Sequence, residues 1–239
     1  MPAPPILVHG HRGARGVLPE NTLPAFTYAI SVGADFLEMD VAVTRDDVVV
    51  VSHDPKLKPA ALAIRQLTLP ELARHTSIPT LDQVLELASL GPIQFNIEIK
   101  SFPKRPELAP PPERFAELVW QAVCRHRLEE RVMVQSFDFR VLRAMRRLAP
   151  EIRLAALYVG PPKSFLAIAR EAGTAVVAPH RALVTRARVR AAHAAGLAVI
   201  PWTANRPAAW NRLVAAQVDA IITDYPAALI AYLRKTGAV

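Results

Sequence analysis

Eight short apolar runs, rich in β-branched residues, recur along the 239-residue chain with helical patterns between them, and this alternation constrains the fold most. The runs are Ile6–His9, Asp35–Val43, Phe95–Ile99, Val132–Gln135, Leu154–Tyr158, Ala175–Ala178, Ala198–Trp202 and Ala220–Thr223. Apolar periodicity predicts helices over Leu23–Ser31, Leu81–Ala88, Glu113–His126, Val141–Leu148, Lys163–Glu171, Thr185–Ala194, Pro207–Ala216 and Pro226–Arg234. Strands covered on both faces read as continuous apolar stretches, and strands alternating with helices make parallel βαβ units. Eight such units in this length match a TIM (β/α)8 barrel of the α/β class, a single domain over residues 1–239. An open doubly wound sheet is the runner-up, but no Gly-rich dinucleotide turn follows the first strand. Two places depart from the repeat. Val48–Val51 reads as a short strand pairing back on Val41–Val43, and the proline-rich Pro103–Pro112 reads as an irregular surface loop.

Half of the residues are apolar (51%) and 21% are charged, as in ordinary soluble enzymes. No apolar run approaches the roughly 20 residues that span a bilayer. Met1–Pro5 lacks the basic start of a secretory signal, and the single cysteine, Cys124, fits a reducing compartment, so the expected location is cytoplasmic. The net charge of +8 comes from 23 Arg and 6 Lys, grouped mainly on predicted helices such as the one carrying Arg140, Arg143, Arg146 and Arg147. Aromatic residues (6%) do not interleave with these arginines, which argues against a nucleic-acid partner. A positive field that attracts small anionic phosphate substrates is the reading kept.

Chemistry enters at the ends of the first three strands, where a barrel of this kind builds its site. The first ends in His9-Gly10-His11-Arg12-Gly13, which sets a proton-transfer group and a phosphate-binding fork in a glycine turn. Side chains alternate along a strand, so Glu38 and Asp40 share a face in the second strand, above Phe36. In the third, Asn96, Glu98 and Lys100 share one face while Phe95, Ile97 and Ile99 share the other. Glu38, Asp40 and Glu98 then form an all-oxygen cluster suited to a hard divalent cation, Mg²⁺ or Ca²⁺. Lys100 is placed to neutralise a phosphoryl oxygen. The extra hairpin returns His53 to the same mouth, where His11 and His53 make an acid–base pair for one displacement at phosphorus.

These blocks, together with Pro19-Glu20-Asn21-Thr22, Gly33–Val41, Val51–Asp54, Asn96–Lys100, Gln135–Asp138, Pro201–Asn205 and Asp219–Pro226, resemble the glycerophosphodiester phosphodiesterase family. The likeness runs in order through nearly the whole chain. It implies a TIM barrel that cleaves glycerophosphodiesters, such as glycerophosphocholine or glycerophosphoethanolamine, to glycerol 3-phosphate and an alcohol. It also implies a metal on Glu38, Asp40 and Glu98, catalysis by His11 and His53, phosphate contacts from Arg12 and Lys100, and Trp202 lining the substrate pocket. The chain departs from the family after His53, where the usual longer segment shrinks to Asp54–Pro59 and its continuation. That departure leaves one alternative, a lysophospholipase-D-like or cyclising phosphodiesterase on a bulkier lipid head group, and the basic surface leaves another, a non-catalytic nucleic-acid-binding protein.

Overall fold

The computed structural model describes residues 5–58 and 61–238. The expectation drawn from Met1–Pro4 about a leader, and the Pro59 end of the segment after His53, lie outside the described residues. Nine strands form among the described residues: β1 (Leu7–Gly10), β2 (Phe36–Val43), β3 (Val49–Val51), β4 (Gln94–Ile99), β5 (Val132–Ser136), β6 (Arg153–Tyr158), β7 (Val176–Pro179), β8 (Ala198–Val199) and β9 (Ala220–Thr223). Eight run parallel in the order β8-β7-β6-β5-β4-β2-β1-β9, and β3 pairs antiparallel with β2 as the sequence predicts.

The ring closes between β8 and β9 through single bonds rather than a ladder. Asp219 N–H donates to the Val199 carbonyl at 3.1 Å and Ile222 N–H to the Pro201 carbonyl at 3.0 Å. The expected strand Ala198–Trp202 stops at Val199 because Pro201 has no N–H to return to its neighbours. The helices α1 (Leu23–Ser31), α2 (Leu69–Ala73), α3 (Leu81–Leu85), α4 (Pro112–Arg125), α5 (Phe139–Leu148), α6 (Phe165–Ala172), α7 (Arg186–His193), α8 (Pro207–Ala215) and α9 (Pro226–Thr236) complete the βα repeat. Among the described residues, no helix is long and apolar enough to cross a membrane.

Strand alternation divides the interior into two apolar regions. Leu37, Met39 and Val41 of β2 and Phe95, Ile97 and Ile99 of β4 face outward and pack with helix residues such as Phe26, Phe115 and Leu142. Phe36, Met133, Ala155, Leu157, Ala178, Ile200, Ala220 and Ile222 fill the barrel itself. That inner plug occupies the lower barrel, so the polar residues of β2 and β4 collect at its mouth.

One detail corrects the sequence reading. The Pro103–Pro112 segment is not wholly a surface loop: a 3-10 turn spans Pro106–Leu108, α4 begins at Pro112, and Leu108 to Pro110 are buried. Leu108 and Ala109 line a small cavity with His53, Lys100 and Phe102, so the segment supports the loop that carries His53. The stretch Leu69–His75 contains α2, whose Thr68 and Glu71 form a reciprocal capping box.

Gly13 sits at φ 84°, and a Cβ there would lie 2.7 Å from the Ala25 carbonyl carbon of α1. Gly13→Ala is therefore expected to lower unfolding free energy by about 2–4 kcal/mol, from left-handed strain plus overpacking, read from urea midpoints.

Candidate active site

The turn after β1 is held by Glu38 of β2. Arg12 N–H donates to Glu38 Oε2 at 3.0 Å and Gly13 N–H to the Glu38 carbonyl at 3.3 Å. Arg12 itself takes φ 50°, which points its buried side chain back across the mouth. Its Nε lies 3.0 Å from Asp40 Oδ2, and its Nη1 donates to Glu20 Oε1 at 2.9 Å.

Three of the predicted residues meet as expected. One carboxylate oxygen each from Glu38, Asp40 and Glu98 lies within 4.8 Å of the others, and all three residues are buried. Lys100 Nζ sits 3.1 Å from Asp40 Oδ1 and 3.3 Å from Glu98 Oε1. The Asp40 Oδ1 contact counts as an ion pair only, since no donor is aligned on that oxygen as a hydrogen bond. Asn21, in the left-handed region at φ 57°, donates to Asp40 Oδ2 at 3.0 Å.

Charge in this pocket does not balance among the side chains alone. Burial first, and Arg12 with Lys100 against it, leave Asp40 below its ordinary range. Glu38 is raised by burial, which outweighs the pull of His11. The Glu98 carboxyl is pushed up to about 8 by burial and then by Asp40, against the opposing pull of Lys100. Near neutral pH the cluster therefore retains a proton where one more positive charge would remove it. That deficit and the all-oxygen donor set fit a hard divalent cation.

His11 is buried between two carboxylates. Its Nδ1 lies 2.5 Å from Asp224 Oδ1, and its Nε2 lies 3.9 Å from Glu38 Oε2. Burial opposes the charged ring, but Glu38 and the Asp224 hydrogen bond outweigh it and raise the pKa. Asp224 is clamped in turn by Asn205, which donates through Nδ2 at 2.6 Å and accepts from Asp224 N–H at 2.9 Å. His53, half-buried, lies between the cavity shared with Lys100 and a second one lined by Glu20 and Asn21. Its Nδ1 meets Asp54 Oδ1 at 2.8 Å, and its pKa falls through burial and the nearby Lys100 charge.

Trp202 stands apart from the carboxylates. It donates from Nε1 to the Ala178 carbonyl at 2.8 Å and packs edge-on to Phe137 (5.5 Å) and His180 (5.3 Å), forming an aromatic wall on the β5–β8 side. His9 is not a partner of His11. It stacks on Phe36 at 4.1 Å and meets Asn96 Nδ2 at 3.3 Å, and burial lowers its pKa to about 3. Asn96 donates to Gln135 at 3.0 Å, and Gln135 donates to Glu38 Oε1 at 2.9 Å. A neutral polar layer thus fixes Glu38 from beneath.

Sequence reasoning assigns no role to Glu20, Asn21, Gln135, Asn205 or Asp224. Each stands in a block that resembles the family, which is the one signal that marks them. Some of their partners are distant in the chain, His11 and Asp224 being 213 residues apart and Glu38 and Gln135 97.

A model described as the glycerophosphoryl diester phosphodiesterase family matches residues 11–228. The glycerophosphodiester phosphodiesterase of Caldanaerobacter subterraneus subsp. tengcongensis is 33% identical, over 97% of this chain and 99% of its own. The crystal structure of a putative glycerophosphoryl diester phosphodiesterase from Silicibacter pomeroyi superposes with a TM-score of 0.89 at 29% identity, covering 99% of this chain and 95% of that one. An Oleispira antarctica phosphodiesterase in complex with the product sn-glycerol-3-phosphate has a TM-score of 0.86 over 96% of this chain and 97% of its own. At 24% identity that last likeness speaks to the fold.

Proposed function

The chain belongs to the glycerophosphoryl diester phosphodiesterase family, and we propose that its mouth residues hydrolyse glycerophosphodiesters to glycerol 3-phosphate and an alcohol with one bound divalent cation. The observation that carries this reading is the buried Glu38–Asp40–Glu98 triad with His11 beside it. Bound there, Mg²⁺ or Ca²⁺ would supply Lewis-acid charge to a non-bridging phosphoryl oxygen.

The remaining work falls to the chain's own groups. Arg12, with two contacts already on Asp40 and Glu20, keeps N–H groups for the phosphate and holds the phosphorus in line. Lys100 balances charge as it builds on the equatorial oxygens. Asp224 accepts the hydrogen bond from His11 Nδ1, which leaves Nε2 turned inward as the proton donor to the departing alkoxide. His53, kept neutral beside Lys100, accepts the proton of the attacking nucleophile. Two imidazoles whose surroundings drive their pKa values apart divide the acid and base roles between them. Trp202 offers a flat apolar wall to the glycerol or the leaving alcohol. The whole chain, residues 1–239, acts as one domain in this reading, and its single cysteine supports a cytoplasmic location.

The test is a coupled glycerol-3-phosphate assay on glycerophosphocholine with Mg²⁺, with Ca²⁺ and with EDTA. Release with a cation and loss of at least about 10³-fold in EDTA is expected, a few kcal/mol of Lewis-acid stabilisation. Undiminished turnover in EDTA would refute the cation's part. No turnover on any glycerophosphodiester, with salt-sensitive binding to DNA or RNA instead, would refute the activity.

A further inference from the structure

Among the described residues, four of the six large apolar side chains that stand exposed are Val17, Phe137, Val159 and Tyr225. They lie on the loops that follow β1, β5, β6 and β9, which all open at the mouth of the barrel. The other two, Leu90 and Leu148, lie at the opposite end. On the mouth the apolar residues form two groups. Tyr225 packs over Gly16, next to Val17, while Phe137 leans on Trp202 and shares a groove with Val159.

Cations occupy the same rim. Lys56, Lys104, Arg181 and Arg206 sit on the loops after β3, β4, β7 and β8, and none has a carboxylate partner among the described residues. Their neighbours are neutralised locally, Lys58 by Asp54 at 2.6 Å, Arg105 by Glu107 at 2.5 Å and Arg140 by Asp138 at 2.7 Å. A small soluble phosphodiester needs cations focused on the carboxylate pocket. It does not require exposed apolar side chains on four separate loops of the rim. Apolar tips interspersed with uncompensated Lys and Arg on one end of a barrel match a flat, anionic, partly apolar surface.

We propose that the barrel docks mouth-first on an anionic lipid bilayer, with Val17, Phe137, Val159 and Tyr225 entering the headgroup layer and Lys56, Lys104, Arg181 and Arg206 facing the anionic headgroups. The docked active site faces the lipid, so soluble and membrane-derived phosphodiesters reach it from the same side. The inference stands on the rim alone and does not depend on the reaction assigned above.

Co-sedimentation of the full chain with vesicles of phosphatidylcholine alone, and of phosphatidylcholine mixed with phosphatidylglycerol, tests it. Binding is expected only to the mixed vesicles, with loss in about 0.5 M salt. Lys104→Glu with Arg181→Glu is expected to weaken it by about fivefold or more per charge, and Val17→Ser with Val159→Ser by a similar margin. Hydrolysis of soluble glycerophosphocholine is expected to be unchanged in both double variants, which shows that they fold. Failure to sediment with mixed vesicles, or sedimentation unaffected by either double variant, overturns the docking while leaving the hydrolase reading in place. A lipid-free dimer that the valine variants dissociate would give the rim to a second copy and overturn it as well.

Discussion

Glu98→Gln is expected to make the EDTA-treated protein more stable and the enzyme nearly inactive. Glu98 keeps its proton up to about pH 8 in the fold because burial and Asp40 oppose its charge, whereas the unfolded chain releases it near its ordinary value. Between those two values the folded state binds more protons than the unfolded state, so stability falls as pH rises. A neutral amide of the same shape removes that loss. The gain should be small near about pH 5 and on the order of 3 kcal/mol near pH 8, seen as a higher melting temperature in EDTA. Activity should move the other way, by about 10³-fold, because the cation loses one of three carboxylates and its hold on the phosphoryl oxygen. A divalent cation should reverse the order of stability, raising the parent's melting temperature and hardly moving that of the variant. Equal stabilisation at both pH values would show that Glu98 carries no such burden.

That carboxylate cluster is legible in the sequence because it depends only on strand periodicity. Glu38 and Asp40 are two apart, as are Asn96, Glu98 and Lys100, and the intervening Leu37, Met39, Ile97 and Ile99 must face the helices. Pairing of Asp40 with Glu98 in the β2–β4 register then brings the triad together. The hairpin that returns His53 is legible for the same reason, since β3 needs only the turn Thr44–Val48 to fold back on β2. What stays hidden is whatever depends on the far side of the ring. Asp224 meets His11 only because β9 lies beside β1, a closure that no local pattern encodes. Gln135 reaches Glu38 across β4, and Asn21 reaches Asp40 only through a left-handed backbone turn. The proline-rich segment misleads in the opposite direction. Prolines exclude regular ladders but not burial: Leu108 to Pro110 are buried, and Leu108 and Ala109 line the cavity beside His53. The helix Leu69–Ala73 does carry a local sign, Thr68 with Glu71 three positions later, in a stretch too short for apolar periodicity to register.

His11→Ala is expected to lower kcat by about 10²–10⁴-fold on glycerophosphocholine, the usual worth of a positioned proton donor. Asp224→Asn probes the same step without removing the imidazole. Asp224 contacts His11 Nδ1 and is itself fixed by Asn205, so the amide should keep the ring in place while withdrawing a negative charge that favours the imidazolium. His11 must be protonated to act as the donor, so its pKa governs the alkaline limb of the pH–rate profile. Asp224 raises that pKa, and losing its charge should move the limb to lower pH, with kcat reduced and KM nearly unchanged. The acid limb, set by His53, should stay where it is, because His53 answers to Lys100 and Asp54. A shift of the acid limb instead would exchange the two histidines' roles. A change confined to melting temperature, with the profile intact, would reduce Asp224 to a structural clamp. Asp224→Glu separates charge from reach: if charge governs, it should restore the alkaline limb even where a displaced ring keeps kcat low.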